Sequence, residues 1–200
     1  AIHVLRQKGQ QITEEESEAA AIAILLHDIG HGPFSHALEK TILSNVHHEE
    51  VSIRFMERLN EQFQGRLSMA LEIFRDTYPK RFLHQLVSSQ LDVDRLDYLT
   101  RDSYFTGVHE DVIGYDRLIE MMDVENDELV IEHKGIYSVE KFIIARRVMY
   151  WQVYLHKTVI CAEQMLIKTL NRAKYLAKSG TQLFATPSLH FFLYRDVATR

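Results

Sequence analysis

The sequence has few of the residues that interrupt helices or cross-link a chain. It contains 3 prolines and 8 glycines among 200 residues, so long helices are expected. A single cysteine, Cys161, excludes an internal disulfide and fits a reducing compartment. We therefore expect a largely helical protein with a cytoplasmic location.

Long apolar runs and an excess of positive charge are also missing. The longest apolar runs are far too short to cross a bilayer, and no signal-peptide pattern opens the chain. The 23 Lys and Arg residues are outnumbered by 28 Asp and Glu residues, which gives a formal net charge of −5. That balance argues against general nucleic-acid binding but leaves room for a local basic pocket that binds phosphate.

Helical periodicity covers most of the chain. Thr13 followed by Glu16 forms a capping box, which begins a nearly continuous apolar helix that runs to His27. The exception is 128–138, where β-branched residues flank Gly135 and predict one small β-hairpin. The expected fold class is therefore all-α with one hairpin. Further helices are predicted at 48–63, 67–75, 81–88, 92–103 and over the long stretch 139–177.

Histidines are numerous, at 11, and several of them gather where the apolar helix ends. Residues 25–36 read Leu-Leu-His-Asp-Ile-Gly-His-Gly-Pro-Phe-Ser-His. An imidazole and a carboxylate, as in His27 and Asp28, together suit a first-row divalent cation. A lone His-Asp pair can equally be a solvated helix end that complements the helix dipole. Three more histidines nearby favour a metal site, because buried polar groups need partners: His31, His36 and His48.

This twelve-residue stretch resembles the central signature of the HD-domain metal-dependent phosphohydrolases. Its second half is similar to the branch that hydrolyses deoxynucleoside triphosphates. The segment 90–98, which reads Gln-Leu-Asp-Val-Asp-Arg-Leu-Asp-Tyr, agrees with the same family, and 146–157 agrees more loosely. The resemblance implies the helical HD fold, a single domain over 1–200, and hydrolysis of deoxynucleoside triphosphates to deoxynucleoside and triphosphate.

The resemblance implies a divalent metal cofactor (Mn, Fe, Mg, Co, Ni or Zn), with His27, Asp28 and Asp94 as its ligands. Asp94 is preferred to Asp92 because the family motif places its ligand directly before a basic residue, here Arg95. Without the first motif, the acidic residues around Asp94 would be interpreted as a charged helix face paired with arginines.

One feature of the family has no counterpart in this sequence. The family carries an early metal-binding histidine upstream of the His-Asp pair, within a characteristic stretch. His3 is the nearest upstream histidine, but it lacks the flanking residues of that stretch. We therefore expect a longer polypeptide, with this ligand before Ala1 and further sequence beyond the C-terminus. The alternative is that His3 substitutes for the early histidine.

The resemblance also implies roles in catalysis. His36 is the expected acid for the leaving oxygen, and Glu39 is expected to orient a histidine. His31 and His48 are expected to line the path of the phosphates. Proton delivery and charge neutralisation of this kind are what phosphate-ester hydrolysis requires.

Five further residues are expected to bind substrate by the same resemblance. Arg146 and Lys157 would hold the polyphosphate, since guanidinium and ammonium groups both pair with phosphate. Tyr154 and Asp102 would contact the sugar, and Tyr98 would pack beside it. For the tyrosine at 154, a plain core position is the alternative, because aromatic residues at helical spacing are often buried.

Two alternative functions remain open. One keeps the HD-type hydrolysis and changes the substrate to another nucleotide or phosphate ester. The other is a degenerate nucleotide-sensing module: the absent early histidine favours it, and the intact His27, Asp28 and Asp94 argue against it. The expected partners are a nucleotide substrate and further copies of the chain in a homo-oligomer, with no membrane and no general nucleic acid.

Overall fold

The computed structural model of the chain describes residues 1–34, 37, 46–108 and 114–195. Helices dominate this part of the chain, and one two-stranded antiparallel sheet accompanies them, so the expected fold class is confirmed. The helices are α1 Ile2–Gln7, α2 Glu14–Leu26, α3 His48–Gln62, α4 Ser68–Phe74, α5 Arg81–Val87, α6 Val93–Thr106, α7 Tyr115–Glu120, α8 Ile136–Met149, α9 Lys157–Lys178 and α10 Pro187–Tyr194. The strands are β1 Met122–Glu125 and β2 Glu128–Ile131.

The chain divides into two compact units. Unit 1 comprises Ala1–His27 and Met56–Leu155, and unit 2 comprises Asp28–Phe55 and His156–Arg200. Among the helices described, none has the length and apolar character that crossing a bilayer requires.

The core of unit 1 forms around α2. This helix buries Ala19, Ala20 and Ala23, and these small side chains let α4 and α5 pack closely against it. Larger side chains fill the space around them, among them Leu83 and Phe142. Burying each such side chain stabilises the fold by about 1.5–3 kcal/mol before the entropy of ordering is subtracted.

The predicted capping box begins α2 and is tied to a neighbouring loop. The Thr13 hydroxyl accepts from the Glu16 N–H at 3.1 Å, and the Glu16 carboxylate accepts from the Thr13 N–H at 2.8 Å. Lys80 Nζ and the Tyr78 hydroxyl each donate to this carboxylate at 2.7 Å. Burial opposes ionisation of Glu16, but the hydrogen bonds from Lys80, Thr13 and Tyr78 prevail and lower its pKa. The same carboxylate raises the pKa of Tyr78 to about 12.

The β-hairpin lies earlier in the chain than 128–138. β1 pairs with β2 in a register that opposes Glu125 to Glu128, so the turn is Asn126–Asp127. Both turn residues have positive φ, 52° and 66°, as a two-residue hairpin turn of type I′ requires. The predicted turn around Gly135 was wrong. That glycine lies in a short 3₁₀ turn, where a Cβ would come within 2.6 Å of an Ile131 methyl carbon.

The helical stretch predicted over 139–177 is helical except for one interruption near its middle. α8 continues into a π-helical turn, Tyr150–Tyr154, before the helix ends. His156 then adopts an extended conformation, and its imidazole accepts from the Thr158 N–H at 3.3 Å. A histidine that caps a helix in this way separates α9 from the preceding helix without any proline or glycine.

In unit 2, α9 packs against α10 around Leu170, Ala177 and Leu193. α10 was not predicted, although Thr186 followed by proline at the first helical position is a typical helix start. The Tyr194 hydroxyl accepts from the Leu183 N–H and donates to the Thr181 carbonyl, both at 2.8 Å. These two hydrogen bonds stabilise the segment that connects α9 to α10.

Candidate metal centre and active site

His27 follows the last residue of α2 and is held with one nitrogen directed away from its own helix. Its Nδ1 lies 2.6 Å from the Ile24 carbonyl oxygen, so Nδ1 must carry the proton in that bond. The other nitrogen, Nε2, therefore presents a lone pair in the neutral ring, which is the form that binds metals.

Asp94 lies opposite that lone pair. His27 Nε2 and Asp94 Oδ1 are 3.6 Å apart, both within unit 1. A nitrogen and an oxygen that share one ion at about 2.1 Å each lie roughly 3–3.6 Å apart at ordinary coordination angles. The spacing of these two atoms is therefore compatible with a shared divalent cation.

Asp92 has a different role from Asp94. Its side chain is 1% exposed and caps α6, accepting from the Arg95 N–H at 2.8 Å and the Ser89 N–H at 2.9 Å. The Arg95 guanidinium also donates to it. Because both carboxylate oxygens are occupied by these donors, Asp92 is a structural cap, and this division of roles supports the choice of Asp94.

Asp28 lies with two histidines in unit 2. The ligand atoms of Asp28, His31 and His48 all lie within 4.8 Å of one another, so this group can hold a metal ion. His31 Nε2 is 3.6 Å from Asp28 Oδ1, and the rings of His31 and His48 stack with centroids 3.9 Å apart. Two imidazoles and a carboxylate are a donor set that first-row divalent ions favour.

A tyrosine-rich group in unit 1 contains three of the predicted substrate-binding residues. The Tyr154 hydroxyl donates to Asp102 Oδ2 at 2.6 Å, and the Tyr98 ring meets the Tyr154 ring edge-on at 6.2 Å. Burial and then the bond to Asp102 raise the pKa of Tyr154, and burial raises that of Tyr98. Both hydroxyls are therefore neutral near pH 7 and can donate.

The π-helical turn belongs to this group, since Tyr154 is its last residue. Such turns are rare and frequently occur at functional sites. Its first residue, Tyr150, packs edge-on against Tyr154 at 5.2 Å. Sequence periodicity does not predict this turn, because the apolar spacing around it is ordinary.

The two predicted phosphate-binding cations belong to different units. Arg146 in unit 1 donates weakly to Gln90 Oε1 at 3.5 Å and lies over the Tyr150 ring at 5.7 Å. Lys157 is exposed at the first turn of α9 in unit 2. The predicted catalytic residues His36 and Glu39 lie outside the described residues. His3 contacts Gln7 on α1 at 3.0 Å.

One residue beside His31 and His48 was not predicted from the sequence. Ser52 is 0% exposed and accepts from the Gly30 N–H at 2.9 Å, within unit 2. Its position one turn after His48 is visible in the sequence, but a serine in an amphipathic helix carries no indication of a partner 22 residues earlier.

Two family models match the chain. The model of the HD domain matches 2–102, and the model of the HD associated region matches 113–184. The chain belongs to the HD-domain family. HD domains are metal-dependent, which agrees with the His and Asp groups described above.

This HD-domain chain is also similar to individual proteins. An uncharacterized protein of Bacillus subtilis (strain 168), YwfO, is 37% identical over 186 residues, covering 90% of this chain and 42% of its own length. A deoxynucleoside triphosphate triphosphohydrolase SAMHD1 homolog of Dictyostelium discoideum is 32% identical over 194 residues, covering 88% and 38%. A crystal structure of a phosphohydrolase from Bacteroides thetaiotaomicron VPI-5482 has a TM-score of 0.94 at 63% identity, covering 98% and 49%. This chain thus spans less than half the length of each.

Proposed function

We propose that this HD-domain chain forms the catalytic part of a metal-dependent phosphohydrolase that splits deoxynucleoside triphosphates into deoxynucleoside and triphosphate. The observation that carries the proposal is the 3.6 Å spacing of His27 Nε2 and Asp94 Oδ1, with Nδ1 of the same ring fixed on Ile24. The name of the Dictyostelium relative supports the choice of substrate.

The proposed metal ligands are His27, Asp28 and Asp94. A divalent ion bound there would polarise a phosphoryl oxygen and make hydroxide available near neutral pH. The surrounding residues fix the His27 ring through the bond of Nδ1 to the Ile24 carbonyl, which places Nε2 beside Asp94, and they keep Asp92 engaged as a helix cap.

Two histidines are proposed to contact the phosphates. His31 and His48 stack with an interplanar angle of 14°, so their ring edges are presented side by side. Imidazole N–H groups arranged in this way can donate to non-bridging oxygens, where negative charge accumulates in the transition state. We further propose His36 as the acid that protonates the leaving O5′ and Glu39 as the group that orients a histidine.

Substrate binding is assigned to the remaining predicted residues. Tyr154 occupies one oxygen of Asp102, and the other oxygen can accept from a sugar hydroxyl. The ring of Tyr98 would pack beside the sugar. Arg146 and Lys157 are proposed to hold the polyphosphate through charge-assisted hydrogen bonds.

Product analysis tests this function. The full-length protein is incubated with Mn²⁺, a panel of nucleotides and ¹⁸O-labelled water, and the products are separated by ion exchange. Intact triphosphate carrying the label is expected, because water attacks the α-phosphorus and the proton goes to O5′. Release of orthophosphate or pyrophosphate alone would refute the triphosphohydrolase assignment, and hydrolysis of another phosphate ester would move it to a different substrate.

We also propose that the protein forms a homo-oligomer, on the basis of the family resemblance. A cytoplasmic location is part of the same proposal. Light scattering after size-exclusion chromatography of the full-length protein measures its mass. A mass that is a multiple of the subunit mass is expected. A monomer at every protein concentration would refute the expectation.

A further inference from the structure

The loop that carries His31 lies directly on the first turns of α3. The Gly30 N–H donates to Ser52 Oγ at 2.9 Å, and this serine side chain is completely buried. Both residues belong to unit 2, and neither has a role in the proposed chemistry.

Gly30 is required by the closeness of this contact. A Cβ on Gly30 would lie 2.2 Å from the His48 carbonyl oxygen, 2.4 Å from the Ser52 nitrogen and 2.7 Å from Ser52 Oγ. Two of these atoms are backbone atoms of α3, so no side-chain rotation can relieve the clash. The φ angle of Gly30 lies outside the left-handed region. Glycine is therefore required by the close approach of this loop to α3, and not by its own backbone conformation.

The contact bears directly on two histidine rings. Gly30 immediately precedes His31, and Ser52 lies one helical turn after His48, on the same side of α3. The His31 and His48 ring centroids are 3.9 Å apart and the rings are nearly parallel. The Gly30–Ser52 hydrogen bond therefore lies one residue from the first ring and one helical turn from the second.

We propose that Gly30 and Ser52 form a clamp that positions His31 against His48. Both are positioning residues, since they act through the histidines and touch no substrate. The catalytic importance of the clamp rests on the proposed function, in which the two rings contact phosphate. Its structural part, the control of the ring-to-ring distance, does not depend on that function.

A double-mutant cycle on the full-length enzyme tests the catalytic part. Ser52→Ala should lower kcat about tenfold to a hundredfold, because small misplacements of catalytic groups have effects of this size. In a His31→Ala background, the same Ser52→Ala change should lower kcat by less than about twofold, since the positioned group is gone. Ser52→Thr, which keeps the hydroxyl, should recover most of the activity. An equal loss in both backgrounds would overturn the clamp as a catalytic device.

A measurement that requires no catalytic turnover tests the structural part of the proposal, which is the control of the distance between the two rings. In protein labelled with ¹³C-histidine, the nuclear Overhauser effect between the His31 and His48 rings should be present. It should disappear in both Ser52→Ala and Gly30→Ala, measured below the melting temperature of each variant. Persistence of this signal in Ser52→Ala would overturn the clamp. A full-length protein that is inactive on every phosphate ester would refute the proposed function. The nuclear Overhauser effect between the two rings would still test whether the clamp controls their distance.

Gly135→Ala is the matched control. It also places a methyl group where the chain is crowded, 2.6 Å from Ile131 Cγ2, but Gly135 belongs to unit 1, whereas His31 and His48 belong to unit 2. Destabilisation with an unchanged signal between the His31 and His48 rings is expected. Loss of the signal in this control would show that general destabilisation is sufficient, and would overturn the clamp.

Discussion

Alanine replacement of Asp92 and of Asp94 should give opposite results, although the first caps α6 and the second lies two residues later in its first turn. Asp92 is buried and saturated by donors, whereas the Asp94 side chain is 36% exposed and faces His27. We expect Asp92→Ala to reduce stability and Asp94→Ala to abolish metal binding.

The size of the Asp92 effect follows from its partners. Loss of the helix cap costs about 1 kcal/mol. Loss of the acceptor for the Ser89 N–H and the Arg95 guanidinium adds about 1–3 kcal/mol. A total of about 2–4 kcal/mol should lower the melting temperature by roughly 6–12 °C, at about 3 °C per kcal/mol for a chain of this size.

The size of the Asp94 effect follows from ligand binding. A partly exposed carboxylate is expected to change intrinsic stability by only about 0.5 kcal/mol. In wild-type protein, Mn²⁺ at a hundred times its dissociation constant should add about 2.7 kcal/mol, and Asp94→Ala should lose this gain.

Thermal melting with and without Mn²⁺ measures both effects. Asp92→Ala should melt early but still gain stability from the metal. Asp94→Ala should melt like wild type without Mn²⁺ and gain nothing from it. The reverse pattern, with metal stabilisation lost in Asp92→Ala and kept in Asp94→Ala, would show that the ligand was wrongly assigned.

Three further predictions concern substrate, pH and the hairpin. Tyr154→Phe removes the hydroxyl that orients Asp102, so steady-state kinetics should show KM for deoxynucleotides raised about tenfold, the effect of roughly 1.4 kcal/mol. Lys80 and its neighbours lower the pKa of Glu16. The ionised Glu16 side chain therefore contributes fully to stability above the ordinary pKa of 4.5, and this contribution is lost as the pH falls below 4.5. Melting curves should therefore show Glu16→Gln destabilised at pH 7 and nearly equal to wild type at low pH. Asn126→Val should lose about 1–2 kcal/mol in urea unfolding, because a β-branched residue resists positive φ.

Each of these has a contradicting outcome. An unchanged KM in Tyr154→Phe would remove the tyrosine from the sugar site. A destabilisation of Glu16→Gln that is the same at pH 3 and pH 7 would show that its charge is not what matters. Asn126→Gly is the control for the hairpin, and equal stability of the glycine and valine variants would contradict the assigned turn.

Features that depend on nearby residues could be predicted from the sequence. The capping box of Thr13 and Glu16 is local, since its two bonds join residues three positions apart, and it was predicted correctly. The turn at Asn126–Asp127 is equally local, but Gly135 is the stronger turn signal in the sequence, although Asn and Asp also tolerate positive φ.

Features that depend on distant partners could not be predicted from periodicity. The nearness of His27 to Asp94 was expected only through family resemblance, because no pattern along the chain joins the end of α2 to the start of α6. The contact of Ser52 with Gly30 joins residues 22 positions apart, and such a contact leaves no periodic pattern in the sequence.

The position of a bound metal tests the proposed metal centre most directly. Crystals of the full-length protein soaked in Mn²⁺ are measured near the manganese absorption edge, and the anomalous difference map locates the ion. We expect a peak at coordination distance from both His27 Nε2 and Asp94, with Asp28 as a further ligand. A peak held by other residues and touching neither His27 nor Asp94 would contradict the proposed metal centre.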